Sequence, residues 1–197
     1  IVDTINSVLE QTFQDFEIIV VDDKSTDNSY SLVKNTFKNN NKIRIYQNEK
    51  NMGTYKTQNF ALEKANGQYI CLLGSDDKFL KNRLEEDYKH LQNNDAVISK
   101  YDRIDEKTGD LIKRRYGESM ITFNKTLIDK IGPWINCKFG GDSEYKFRIK
   151  LLLGDKSLKY NNKVLYKALT RKGEDNLTSI HKSHKRKIFR KYFLTLH

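Results

Sequence analysis

The feature that most restricts this chain is a pair of short apolar runs that each break off at two adjacent aspartates. Residues 16–23 read FEIIVVDD, and residues 69–77 read YICLLGSDD. A β-branched run of this length suits a strand covered on both faces, as in a parallel sheet, because neither set of side chains offers polar groups to water. Adjacent carboxylates at such a strand end repel one another, and burying both ionised without a partner is costly. Open α/β sheets bind ligands beyond the carboxyl ends of their strands, so Asp22–Asp23 and Asp76–Asp77 mark one expected site. For the second pair the bland alternative is a solvated turn that caps the helix beginning at Leu80.

The periodicity between these landmarks alternates. Residues 1–11 repeat apolar groups at helical spacing, and a polar turn over 22–27 offers Ser25, Thr26 and Asp27 as caps for a helix through Val33 and Phe37. Residues 42–47 read as a strand, 48–53 as a loop, and 54–65 as a helix closed by Asn66-Gly67. A buried strand over 68–73, a charged helix over 80–93 and a strand over 96–101 follow. The order predicts an α/β domain with a mixed, mainly parallel sheet flanked by helices. Beyond it come a hairpin over 103–115, a short helix over 127–134, a helix from Gly140-Gly141-Asp142 through Leu153 and a last strand over 163–169.

At 197 residues, with 37% hydrophobic and 31% charged residues, the composition is that of one soluble globular domain. No apolar segment approaches the roughly 18–20 residues that a membrane-spanning helix needs. Cys71 sits inside an apolar run and Cys137 lies far from it with no metal-type spacing, so both read as reduced thiols in a reducing, cytoplasmic compartment. Of the net charge of +10, six units come from Lys182, Lys185, Arg186, Lys187, Arg190 and Lys191 within 181–191, a stretch without acid. It reads as a solvated terminal helix over 181–197, with peripheral contact to an anionic membrane surface or nucleic acid left open. A nucleic-acid module is the weaker reading, because acidic clusters lie where phosphates would approach and no nucleic-acid motif is present.

Two carboxylates at a strand end divide the work well. One accepts from a ligand hydroxyl while the other coordinates a hard divalent cation through oxygen. Mg²⁺ takes only one or two carboxylates and completes its shell with water and phosphate oxygens, so a pair suffices for a cation that arrives with a diphosphate.

Read in order, VVDDKSTDNS, NEKNMGTYKTQN, LLGSDD and GGDSEYKFRI resemble the motifs of the GT-A glycosyltransferases of family 2, the inverting nucleotide-sugar transferases. The resemblance runs over roughly residues 3–180. It implies one GT-A domain over 1–197, with a nucleotide-binding half (1–100), an acceptor and catalytic-base half (101–180) and the basic terminal helix (181–197). It also implies transfer of a sugar from a UDP-sugar, or a dTDP-sugar, to a hydroxyl of a glycan or other acceptor, with Mn²⁺ or Mg²⁺ as cofactor. By the same resemblance Asp23, with Asp22 second, would accept from the uracil ring, and Asn51, Gly53 and Asn59 match the next loop. Gln58 stands where the family has arginine, and Lys56 is the substitute cation at the helix start. Asp76 would bond the ribose and Asp77 the metal, with Asp76 beside it, while Gly74 replaces an earlier aspartate. Asp142 is the expected base, with Glu144 in reserve and Gly141 at the place of a family glutamate. Inversion needs one such group to take the acceptor hydroxyl proton; a helix N-cap is the alternative role for Asp142. Trp134 is expected to form an acceptor platform or else a core residue, and Arg171 and Lys172 to reach the diphosphate. Family members begin with a central strand, whereas this chain starts in the helix after it, so a sheet lacking that strand is expected. With Gln58 and Gly74, that deficit keeps open a degenerate domain that binds donor without turnover.

Overall fold

The computed structural model describes residues 1–170. Helix α1 (Val2–Leu9) turns Ile5 inward. Strand β1 (Ile18–Asp22) then pairs in parallel with β2 (Ile43–Gln47), Ile18 opposite Ile43 and Asp22 opposite Gln47. Between them α2 (Ser29–Phe37) buries Val33 and Phe37, one helical turn apart, against Ile5 and Ile43 in a small core. Helix α3 (Thr54–Lys64) leads from this layer to β3 (Tyr69–Cys71).

The larger sheet runs β3-β7-β5-β8-β4, with β4 at Asp77–Phe79, β5 at Ala96–Asp105, β7 at Thr122–Asn124 and β8 at Leu158–Thr170. Strand β6 (Leu111–Tyr116) adds to β5. Helices α4 (Arg83–Leu91), α5 (Leu127–Ile131) and α6 (Gly141–Leu153) cover it. Ile98, Phe123, Leu127, Tyr145 and Ile149 are fully buried where α5 and α6 meet the sheet. Between α4 and the sheet, buried Arg83 donates to Asp87 (2.9 Å), and Ser99 and Thr122 donate to the same carboxylate (2.8 and 2.6 Å). No helix among the described residues is long and apolar enough to cross a membrane.

The mixed α/β architecture is the expected one, and the balance of pairing within it is shifted. Parallel pairs are β1–β2 and β5–β8, whereas β3–β7, β4–β8, β5–β6 and β5–β7 are antiparallel. After β5 the chain turns back directly through the hairpin and returns as β7 with no crossover helix, which forces antiparallel neighbours. The same hairpin lengthens the expected strand over 96–101 to residue 105. Among the described residues β1 pairs only with β2 and β3 only with β7, so the sheet is split in two. Glu17, just ahead of β1, spans the split by accepting the amides of Asn66 (2.5 Å) and Gly67 (2.9 Å), just ahead of β3.

The second aspartate pair differs locally from expectation. Strand β3 stops at Cys71, a turn closes from the Asp77 amide to the Gly74 carbonyl (3.2 Å), and Asp77 opens β4 opposite Ala168. The helix expected from Leu80 accordingly starts at Arg83.

Candidate active site

Beyond the carboxyl end of β1 the chain makes a tight turn through Lys24, whose φ of 62° is left-handed. That conformation costs a side-chain-bearing residue of order 1–3 kcal/mol and persists only where its surroundings hold it. Asp22 helps by accepting the Ser25 amide (3.1 Å) and the Gln47 side chain (2.9 Å). Asp23 reaches across to the next loop. Its carboxylate accepts the Asn48 side chain and the amides of Met52 and Gly53, each at 2.8 Å. Burial works to raise the Asp23 carboxyl, and these bonds, with one from Thr57, outweigh it and hold the group below the ordinary range. Gly53, at φ 83°, tolerates the turn into α3 that a side chain would strain. Asp23 thus pins the loop carrying exposed Asn51, and exposed Lys56 stands on the first turn of α3 beside it.

Helix α3 carries the connection on to the expected base. Tyr55, 7% exposed, lays its ring on Gly141, where an added Cβ would lie 2.6–2.9 Å from ring carbons. Its phenol oxygen accepts the Asp142 amide (3.3 Å), one of the orphan donors of the α6 N-terminus. Burial, then the charge of Asp142, pushes the phenol well above its ordinary range, so it stays protonated. One turn along, Asn59 clamps the Trp134 backbone, donating to its carbonyl (2.8 Å) and accepting its amide (3.1 Å). Asp142 itself is half-exposed in the first turn of α6, where the helix dipole favours a carboxylate. The helix is capped by Gly140, with no side-chain capping bond, so the N-cap role weighed for Asp142 is not the one seen.

Two expectations need correction. Glu144 is buried and held by both ends of its carboxylate to Arg148 (2.7 and 2.6 Å), so it cannot serve as a reserve base. Trp134 is 3% exposed, stacked on Tyr145 at 4.3 Å and edge-on to Phe123, which makes it core rather than a platform for a sugar. Gln58 buries its amide oxygen with no hydrogen-bond partner among the described residues. Arg171, Lys172 and the basic stretch over 181–191 lie outside the described residues.

Asp76 is exposed and Asp77 is 7% exposed beneath it. Burial first, and the neighbouring Asp76 charge second, push the Asp77 carboxyl up to about 7 against the pull of Arg103, the Leu169 amide and Arg83. No cationic side chain among the described residues lies within ion-pair distance of it. An added Cβ at Gly74 would lie 3.0 Å from Asp77 Oδ2 and 3.3 Å from the Met120 side chain, so a side chain there would require both to give by a few tenths of an ångström. Two carboxylates, one buried and short of positive charge, form a donor set that fits a hard divalent cation. No group of three or more metal-type side chains occurs among the described residues, so such a cation would draw its other ligands from water and substrate.

Contacts link the segments that carry these residues. The Met120 side chain closes over Gly74, and Glu118, two residues earlier, accepts Ser143 (2.9 Å) and pairs with Lys146, both on α6. The segment of Asp23 is therefore linked to that of Asp142 through Gly53 and Tyr55, and the turn before Asp77 to α6 through Met120 and Glu118. A shallow groove of about 620 Å³ lined by Leu62, Glu63, Lys125 and Ile128 lies ahead of β3, at the other end of that strand, and touches none of them. Sequence reasoning missed Asn48, Tyr55 and Asn59's clamp. For Asn48 the only signal was an asparagine in the loop; Tyr55 meets Gly141 across 86 residues and left no local trace.

The family model of "Glycosyl transferase family 2" matches residues 1–150. The chain is 36% identical over 111 residues to glycosyltransferase GlyG of Streptococcus pneumoniae, covering 55% of this chain and 37% of that protein. It is 30% identical over 156 residues to the GalNAc(5)-diNAcBac-PP-undecaprenol beta-1,3-glucosyltransferase of Campylobacter jejuni, covering 75% and 47%. It thus spans about a third to a half of these relatives. Its fold is that of S. aureus TarS residues 1–349 in complex with UDP-GlcNAc, with a TM-score of 0.71 at 23% identity over 88% of this chain and 55% of the other. With its family model matched over three quarters of the chain, this protein belongs to glycosyl transferase family 2.

Proposed function

We propose that the chain is the catalytic portion of an inverting glycosyltransferase that moves a sugar from a UDP-sugar to a hydroxyl of a glycan or other acceptor. The observation that supports the reading is that three carboxylates, carried on segments linked by contacts, have three different environments. Asp23 is saturated by hydrogen bonds and organises the nucleotide loop. Asp77 is buried with no ion pair among the described residues, and with Asp76 it suits Mn²⁺ or Mg²⁺. Asp142 is half-exposed in the first turn of α6. A bound cation would neutralise charge on the departing diphosphate. Asp142 would take the acceptor's hydroxyl proton as that oxygen attacks the anomeric carbon, and Tyr55 and Asn59 would fix the segment that carries it. Structures of TarS in complex with UDP and with UDP-GlcNAc support a uridine nucleotide donor.

A test begins with thermal shift against a panel of nucleotide sugars in Mn²⁺, to find the donor. Asp142→Asn is then expected to keep donor binding and lose about 10²–10⁴-fold in transfer to the acceptor. Undiminished transfer would remove Asp142 as base. A second reading, donor binding without turnover, is favoured by Gly74 and Gly141, which stand where the family resemblance has acidic residues. It predicts a donor that binds and is never consumed.

A further inference from the structure

We propose that Arg103 binds the diphosphate of the donor from the side opposite Asp77. The proposal rests on the reading of the site as a nucleotide-sugar site.

Asp77 of β4 pairs with Ala168 of β8, and Ala168 pairs with Arg103 of β5. Directly paired residues project from the same face of a sheet, and neighbouring strands lie about 4.8 Å apart, so the two side chains rise from one row about 10 Å apart. Only a methyl group stands between them. The next row confirms the shared face, because Tyr166 and Tyr101 are paired and their rings stack at 5.0 Å.

Arg103 is held without being neutralised. It donates to the Thr170 hydroxyl (3.1 Å) and the Tyr101 hydroxyl (3.3 Å), both uncharged. Arg115 donates to the same Tyr101 oxygen (2.5 Å). Two guanidinium groups therefore converge on one neutral atom, an arrangement of like charges that an anion would relieve. Among the described residues neither has a carboxylate within ion-pair distance, whereas Arg44, Arg83, Arg114 and Arg148 each have one. A guanidinium has five donors, and the two bonds of Arg103 leave a fork suited to phosphate oxygens. A diphosphate held by a cation at Asp77 would extend across Ala168 toward that fork.

The test is titration calorimetry of the full chain with UDP and with UMP in Mn²⁺, for the parent, Arg103→Gln and Arg103→Lys. Loss of a charge-assisted contact to the second phosphate should weaken UDP about 10- to 100-fold in Arg103→Gln and leave UMP within about 3-fold. Arg103→Lys should fall between, keeping the charge without the fork. Unchanged UDP affinity in Arg103→Gln would overturn the proposal, and so would equal weakening of UDP and UMP, the mark of a purely structural role. If the parent binds neither nucleotide, the donor-site reading fails first and takes this one with it. Arg115→Gln, on an exposed edge strand, provides a second variant should Arg103→Gln melt early; it is expected to weaken UDP in the same direction by less.

Discussion

Two aspartates ten residues apart, Asp77 and Asp87, are both buried and have opposite surroundings. Asp87 is enclosed by Arg83, Ser99 and Thr122, which among them supply a full charge and three hydrogen bonds. Asp77 has another carboxylate beside it, no ion pair among the described residues, and a carboxyl pushed up to about 7. The fold evidently can build a satisfied buried acid and does so on α4. Under the proposed function, the shortage of positive charge at the start of β4 marks Asp77 as a candidate metal ligand and Asp87 as a structural acid.

The contrast can be broken from either side. Removing one partner of a fully buried ion pair leaves the other uncompensated, so Asp87→Ala is expected to cost about 3–5 kcal/mol, read from urea unfolding. A loss below about 1 kcal/mol would mean that the pair is not the closed unit described. Asp77→Asn should act in the opposite sense, and only above a certain pH. The folded Asp77 carboxyl titrates near 7 against an ordinary 3.8. Between these values the folded protein keeps a proton that the unfolded chain has released. The parent's stability from this group is therefore fully present below about pH 4, is lost as pH rises toward 7, and is level above it. Without added cation, Asp77→Asn should match the parent at pH 4 and exceed it at pH 8, by an amount of the order of 1–4 kcal/mol. Equal stability at both pH values would contradict the assignment of burial as the cause. The smallest effect belongs to Asp76→Asn, which removes the secondary cause and should bring the Asp77 carboxyl down from about 7 without returning it to the ordinary range, as followed by carboxyl NMR titration.

Much of the site was readable because its signals are local. The apolar run ending in Asp22-Asp23 located the end of β1, whereas the second run ends at Cys71 and its acids lead into β4; two glycines before Asp142 announced the start of α6. Glu144 and Arg148 stand four residues apart on one helix, a spacing that already hinted at an ion pair rather than a base. What escaped depends on contacts between distant segments. Asp77 joins β4 only because β8, some 90 residues later, lies alongside. Trp134 as core or platform was undecidable until Tyr145 and Phe123 were seen around it. In the sequence Arg103 stands only as the first residue of a hairpin over 103–115, and it is the cross-strand row that sets it level with Asp77.

The most direct measurement is Mn²⁺ affinity in the presence of UDP, for the parent and Asp77→Asn, at pH 6 and pH 8. A carboxyl that must lose its proton to bind metal should give the parent tighter binding at pH 8 with proton release at pH 6, and Asp77→Asn weak binding that no longer responds to pH in this range. Parent and variant binding the ion equally well, with no dependence on pH, would contradict the claim that Asp77 is held in readiness for a cation.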